Sequence, residues 1–244
     1  MNDWTNIIAG LLNNDQAAVS ACVTPGCVVR DQRLGTLEGA EGVGRWVEDS
    51  AQWLRALQAK PTDLARLVTE RRGVHEVSFE IRSGDEVVDL PYVLVADVDD
   101  GGVTELRTYH SSWPYSGGHS FRAPPLAGRA KEAIPEVFQW YIDRISVADV
   151  DAVLARFTTD GYVREPSGDR WRHAGPQGRA KFYGHLVDAP RASFELSTST
   201  VMGNTIAVEY GFAYGSTDMV GGVCVMEVAG DQIAAIRITD DVSA

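Results

Sequence analysis

Residues 138–165, FQWYIDRISVADVDAVLARFTTDGYVRE, decide the fold, because residues 4–31, WTNIIAGLLNNDQAAVSACVTPGCVVRD, lie over them without a gap. The offset between the two stretches is constant, so that Ile8 falls on Ile142. Residues 73–110 align in the same way with the end of the chain. A repeat that keeps its register over this length indicates two copies of one domain.

Each copy shows the same order of secondary-structure signals. Two stretches with helical apolar spacing come first, and Asp15 or Asp149 stands where an N-cap would open the second helix. A short strand, a helix opened by a glycine-rich turn and four runs of β character follow. The pattern predicts an α+β fold of two tandem cone-shaped domains, each with three N-terminal helices packed on a strongly curved antiparallel sheet that encloses an apolar cavity.

The predicted domains are residues 1–115 and 134–244, joined by a linker at 116–133. The connecting sequence is rich in Gly, Pro and Ser and shows no clear periodicity. We expect it to wrap over a domain surface. We also expect the two copies to pack as an intramolecular pseudo-dimer, so that the protein is a monomer or a homodimer.

The amino-acid composition limits the kinds of molecule that the protein is expected to bind. The net charge is −12 at pH 7, which argues against nucleic acid and anionic membrane surfaces because both would be repelled. The chain shows no signal-peptide pattern and no apolar run of about 18 residues, so a cytoplasmic location is expected. Cys22, Cys27 and Cys224 form no metal-binding or disulfide pattern, and buried, reduced thiols are expected. A small apolar ligand is the favoured partner.

The stretch FQWYIDRISVADVDAVLARFTTDGYVREP resembles the start of a ketosteroid isomerase: a helix bearing a tyrosine, an A-D-x-D second helix, and a strand that ends in acid-Pro. The whole chain resembles the nuclear transport factor 2-like superfamily, which includes these isomerases and polyketide cyclases of the SnoaL type. The resemblance implies an oxyanion-donating tyrosine at Tyr141 and a proton-shuttling carboxylate at Glu165. It implies no metal, nucleotide or flavin cofactor. The family's second oxyanion donor falls near residues 223–225, where this sequence has no acid, and the first copy has Ile7 in place of Tyr141.

Glu165 is the leading catalytic candidate on physical grounds as well. A carboxylate that faces an apolar cavity is desolvated, which raises its pKa toward the range useful for proton transfer. The alternative is that Glu165 caps a turn or pairs with a nearby arginine. Tyr141, likewise, is either a hydrogen-bond donor to a developing oxyanion or a core tyrosine.

Three further titratable residues complete the candidate site. Asp31 is the counterpart of Glu165 in the first copy, and His110 aligns with Asp240 at the end of the last strand. Because the last strand forms one face of the cavity in this fold, Asp31 with His110 and Glu165 with Asp240 are two candidate acid–base pairs. The alternatives are that Asp31 is the relic of a site and that His110 is a surface residue at a strand end.

Other motifs receive structural interpretations. The stretch GTLEGAEGVG lacks the order of a nucleotide-binding loop and predicts a turn before a helix. Trp4, Trp46 and Trp53 are expected in the core. Asp97, with its acidic neighbours, predicts a solvated hairpin turn.

Two functions remain in competition. The first is a cofactor-independent acid–base enzyme acting on a small apolar substrate, such as a polyketide or terpenoid, by isomerisation, cyclisation, dehydration or epoxide opening. The second is a non-catalytic module that binds a hydrophobic ligand or a protein. An enzyme predicts that Glu165 or Asp31 is desolvated and faces a cavity, whereas a scaffold predicts cones filled by aromatic side chains. Chemistry is expected in the second copy rather than the first.

Overall fold

The computed structural model describes residues 4–118, 121–128, 131–187, 191–215 and 218–240. The chain divides into two units: the described residues up to His110 with Pro114–Ser116, and Ser111–Trp113 with the described residues from Gly117 onward. Each unit has a six-stranded sheet and a hydrophobic core. The repeat in the sequence is therefore a repeat of structure.

The first unit starts with a short 3-10 turn at Trp4–Asn6. Its helices and strands, with the short helix that follows them, are α1 (Ile7–Asn13), α2 (Gln16–Ser20), β1 (Val23–Asp31), β2 (Gly35–Glu38), α3 (Gly39–Ala56), β3 (Lys60–Val68), β4 (Arg72–Ser83), β5 (Glu86–Asp99), β6 (Gly102–His110) and α4 (Trp113–Ser116).

The second unit repeats this order and adds two 3-10 turns, at Asp169–Trp171 and His185–Val187. Its helices and strands are α5 (Glu136–Ser146), α6 (Val150–Ala155), β7 (Phe157–Arg164), β8 (Arg172–Ala174), α7 (Gly175–Gly184), β9 (Ala192–Met202), β10 (Thr205–Tyr214), β11 (Val220–Ala229) and β12 (Gln232–Thr239).

The two sheets have equivalent strand orders, β2-β1-β6-β5-β4-β3 and β8-β7-β12-β11-β10-β9. Both are mixed, because β1 pairs with β6 and β7 pairs with β12 in parallel. The sequence analysis predicted an antiparallel sheet with one strand before the third helix; the structure adds one parallel pair to each sheet and the short strands β2 and β8. β2 and β8 are four and three residues long, too short to show the period-two pattern that reveals a strand.

The helix starts follow from residues that the sequence analysis singled out. The Asp15 carboxylate accepts a hydrogen bond from the Ala18 amide at 2.9 Å, as expected of an N-cap. The Asp149 carboxylate accepts the equivalent bond from Ala152. Gly39 and Gly175, which open α3 and α7, both have φ of +68°, a conformation that disfavours other residues. The glycine-rich stretch is therefore a structural turn, as predicted.

The core predictions are confirmed. Trp4 and Trp46 are buried in the first core, and Trp53 packs against it. Cys22, Cys27 and Cys224 are buried thiols. Burial, followed by the nearby charge of Glu105, raises the pKa of the Cys27 thiol to about 12.

Asp97 lies in a strand and not in the solvated hairpin turn that the sequence predicted. Asp97 lies within β5, and its carboxylate is 2.6 Å from guanidinium nitrogens of both Arg107 and Arg72. Burial alone would raise the pKa of Asp97, but the two arginines outweigh it and hold the pKa below its usual value. The turn itself lies at Asp100 and Gly101, after β5. The burial of Asp97 could not be predicted from its neighbours, because Arg72 and Arg107 are distant from it along the chain.

The predicted linker runs over the sheet of the second unit. A Cβ at Gly211 or Gly221 would lie 2.8 Å from Pro124, so both glycines allow this segment to pack closely. The Gly221 amide donates to the Arg122 carbonyl at 2.8 Å, and the Glu132 amide donates to the Ser197 carbonyl at 2.9 Å. Residues 119, 120, 129 and 130 of the predicted linker lie outside the described residues.

Candidate functional site

An apolar cavity of about 110 Å³ lies in the second unit between α5, α7 and the inner face of the sheet. Aromatic and aliphatic side chains form most of its wall: Phe138, Ile142, Ile145, Phe182, Leu186, Phe194, Phe212 and Ile238. The predicted residues Glu165, Tyr141 and Asp240 all contribute to the same wall. The structure therefore brings one predicted carboxylate pair to one cavity, together with the predicted hydroxyl donor.

Glu165 comes directly after β7, the strand that pairs in parallel with β12. Its side chain keeps 20% of its accessible surface, and its Oε1 lies 2.5 Å from Nε2 of His173. Strand β8 sets His173 opposite Val163, and the ring of Phe182 packs 5.0 Å from the histidine ring. The ion-pair partner of Glu165 is thus a histidine rather than one of the arginines considered from sequence.

Asp240 comes directly after β12 and is buried, with 6% of its surface exposed. Its Oδ2 accepts a hydrogen bond of 2.6 Å from the Tyr210 hydroxyl. Gly222 makes room for this contact, since a Cβ there would lie 2.7 Å from the Asp240 Cβ and 2.8 Å from the tyrosine hydroxyl. Burial, and then the charge of Asp240, raises the pKa of Tyr214. Asp240 is therefore the more enclosed of the two carboxylates.

Two tyrosine hydroxyls meet at the cavity wall. The hydroxyl oxygens of Tyr141 and Tyr183 are 2.9 Å apart and both side chains are buried. Burial raises the pKa of each phenol well above its ordinary value, so both stay neutral. Because one hydroxyl donates to the other, the pair has one further proton to offer a ligand oxygen. Cys224 lines the cavity at the place where the family's second acid is absent.

Asp31, the counterpart in the first unit, has a different environment. It is 1% exposed and its carboxylate accepts hydrogen bonds from Trp46 Nε1 at 2.9 Å and Thr108 Oγ1 at 3.1 Å. The amides of Arg33 and Leu34 donate to it at 2.8 and 3.1 Å. Burial alone would raise the pKa of Asp31, but Arg33, His110 and these hydrogen bonds lower it below its usual value. Fixed donors thus hold Asp31 as a charged carboxylate.

His110 lies near Asp31 and is packed among aromatic rings. Its ring centroid is 5.1 Å from that of Trp53, 5.9 Å from that of Tyr92 and 6.3 Å from that of Tyr115. Only 1% of His110 is exposed, so it is not a surface residue at the strand end. Both predicted pairs thus lie at equivalent places in the two units, but aromatic side chains surround His110 in the first unit.

Sequence reasoning missed His173, Tyr183 and Tyr210. The repeat held a signal for the first: extended backward, the register that lays residues 39–47 over 175–183 puts His173 on Leu37. A histidine in one copy that aligns with a leucine in the other indicates a chemical difference between the copies. Tyr210 carried no such signal, because its contact with Asp240 depends on the glycine at the neighbouring strand.

The fold and the site define a cone-shaped α+β domain that is present twice in the chain, with an apolar cavity in the second copy. Residues 138–236 match the sequence model of the SnoaL-like domain. The second domain is a SnoaL-like domain, and the first repeats its nuclear transport factor 2-like fold. The resemblance drawn from the sequence is confirmed as a tandem duplication of this domain.

Solved structures similar to this chain include a candidate polyketide cyclase from Sinorhizobium meliloti, at 23% identity and a TM-score of 0.38 over 43% of this chain and 94% of that one. A protein from Mesorhizobium loti with a nuclear transport factor 2-like fold gives 20% identity and a TM-score of 0.39, over 44% and 89%. The epoxide hydrolase/cyclase-like enzyme SalBIII, of pyran ring formation in salinomycin, has 18% identity and a TM-score of 0.38, over 43% of this chain and 88% of that one. No curated protein matches the chain.

Two features are absent from the described residues. None of the helices there has the length and apolar character needed to cross a membrane. The described His, Cys, Asp and Glu side chains form no group of three or more that is arranged to hold a metal ion.

Proposed function

We propose that the second domain is a cofactor-independent acid–base enzyme for a small apolar substrate. The observation that carries the proposal is the position of two carboxylates, Glu165 and Asp240, on the wall of one apolar cavity. Proton transfer by a positioned side chain contributes about 10²–10⁴-fold to a rate. Isomerisation, cyclisation, dehydration and epoxide opening all need such a group beside a bound apolar molecule.

The geometry suggests a role for each side chain. Glu165, at the more exposed part of the wall, takes a proton from a substrate carbon next to a carbonyl. The Tyr141 and Tyr183 hydroxyls, kept neutral by burial, donate to the oxyanion that then develops on the carbonyl oxygen. Glu165 returns the proton at a second carbon and so completes an isomerisation. Asp240 with Tyr210 is a second acid–base pair for substrates that need protonation elsewhere.

The size of the cavity bounds the substrate. Apolar cavities of about 150 Å³ hold a benzene ring. A cavity of about 110 Å³ is suited to a ligand, or a part of one, of about one small ring. The candidate substrate is accordingly a small cyclic ketone or epoxide, or that portion of a longer polyketide or terpenoid.

The experiment uses two small probes with the full-length protein. A β,γ-unsaturated cyclohexenone reports isomerisation when its double bond moves into conjugation, and cyclohexene oxide reports epoxide opening. We expect turnover of at least one probe by the wild type, and at least a ~100-fold lower rate in Glu165→Gln or Asp240→Asn. The matched control is Asp160→Asn, an exposed acid on β7 outside the cavity wall.

The same aromatic wall also suits binding without chemistry. If neither probe reacts above the buffer rate while both perturb the NMR signals of cavity residues, the second domain is a hydrophobic-ligand-binding module. That result would overturn the enzymatic proposal.

A further inference from the structure

His173 lies behind Glu165 rather than on the cavity wall. It belongs to β8, the edge strand of the second sheet, and its side chain keeps 17% of its accessible surface. Glu165 lines the cavity, while the histidine ring contacts Glu165 at 2.5 Å. A carboxylate oxygen and a ring nitrogen this close are joined by a hydrogen bond. A chain of two titratable groups therefore leads from the cavity to the solvent.

The first unit supplies a comparison within the same molecule. There, the carboxylate equivalent to Glu165 is held by the indole N–H of Trp46 and by the Thr108 hydroxyl. Neither donor exchanges charge near neutral pH, whereas imidazole does. In the second unit the counterpart of Trp46 is Phe182, which donates no hydrogen bond and instead packs on the ring of His173. The partner that fixes the carboxylate in one copy is replaced by a proton carrier in the other.

We infer that His173 is the positioning and proton-relay residue of Glu165, an inference that rests on the function proposed above. In the resting pair the Nε2–H of His173 donates to the Glu165 carboxylate. After Glu165 has taken a proton from a substrate carbon, His173 moves its ring proton to Nδ1 by exchange with water and accepts the new proton at Nε2. The resulting imidazolium exchanges this proton with water and returns a solvent proton to Glu165, which delivers it to the second substrate carbon and is again a carboxylate. Hydrogen from the substrate can thus exchange with solvent through His173.

The first readout needs no substrate. In the NMR spectrum of the full-length protein, a ring N–H of His173 should resonate far downfield and disappear in Glu165→Gln. The control is Arg172→Ala, which truncates the neighbouring residue of β8, whose guanidinium lies over the Tyr162 ring at 3.8 Å. We expect that variant to keep the resonance. If the downfield resonance is absent from the wild type, or remains in Glu165→Gln, the inference is overturned.

The second readout separates relay from simple positioning. With the β,γ-unsaturated ketone in D₂O, the wild type should place solvent deuterium in the product. His173→Ala should retain the substrate's own proton and react about 10-fold more slowly, and added imidazole should restore both properties. His173→Gln keeps a hydrogen-bond donor but cannot take up and release a proton, so the relay predicts no restoration there. Restoration by glutamine, or wild-type labelling in His173→Ala, would contradict the relay.

Failure of the inference differs from failure of the proposed function. An active wild type in which His173→Ala labels normally removes the relay and leaves the enzyme. A wild type that turns over neither probe, although the downfield resonance is present, removes the enzyme and with it the relay.

Discussion

Glu165 and Asp31 stand at the same place in two copies of one domain, at the end of the first strand, yet their partners differ in kind. Asp31 is surrounded by donors from Trp46, Thr108 and two backbone amides. Glu165 pairs with His173 and borders a cavity. A carboxylate with fixed donors gains stability, whereas one beside a cavity and a proton carrier is available for chemistry.

Replacement of Asp31 tests the stabilising role. Asp31→Asn removes a charged acceptor from a buried network, and an amide cannot accept all of the bonds that the carboxylate accepts. We expect the free energy of unfolding to fall by roughly 2–3 kcal/mol. Urea unfolding followed by circular dichroism measures the change. Asp160→Asn on the exposed part of β7 is the control, with an expected change within about 0.5 kcal/mol.

The pH dependence of stability follows from the same carboxylate. The pKa of Asp31 is lower in the folded protein than in an unfolded chain, where it is about 3.9. Its contribution is therefore present above that value and is lost as the pH falls through the lower, folded pKa. Asp97 and Asp63 act in the same direction. We expect stability to decrease as the pH falls below about 4, and to decrease less steeply in Asp31→Asn. Equal slopes in the two proteins would contradict a lowered pKa at Asp31.

At the scale of elements, long periodic segments were predictable and short ones were not. The helices and the four long strands of each sheet follow from apolar spacing, capping aspartates and turns. Strand β8 has three residues and no pattern of its own, so His173 could not be placed beside Glu165 from sequence. The parallel pairing of β7 with β12 is likewise a tertiary contact, set by how the chain returns rather than by either strand.

Gly222 on β11 is the element-scale feature that can be tested most directly. Gly222→Ala places a methyl group 2.7–2.8 Å from Asp240 and the Tyr210 hydroxyl, which must move apart. We expect the fold to survive but the rate with the cavity probes to fall by about 10-fold, with a visible shift of the tyrosine NMR signals. Gly184→Ala, at the end of α7 with no atom near its Cβ position, is the matched control. Unchanged probe kinetics in Gly222→Ala would argue against a role for the Tyr210–Asp240 pair.

At the scale of the whole molecule, the duplication was visible because register survives in sequence even where identities are few. Both candidate acid–base pairs were located by that register alone. The register could not predict how the two pairs differ, because the difference depends on what fills the space around them. Aromatic rings surround His110, whereas a cavity lies beside Glu165 and Asp240. Cavities arise from the sum of side-chain volumes in three dimensions, and no single sequence position records them.

The central claim is that the second domain carries the chemistry while the first does not. The most direct test measures the conversion of the β,γ-unsaturated cyclohexenone by Glu165→Gln and by Asp31→Asn. Both variants are assayed as full-length proteins at a temperature where circular dichroism shows them folded. We predict that Glu165→Gln loses at least about 100-fold in rate while Asp31→Asn keeps the wild-type rate. Equal losses in both variants, or a loss confined to Asp31→Asn, would contradict the placement of the chemistry in the second domain.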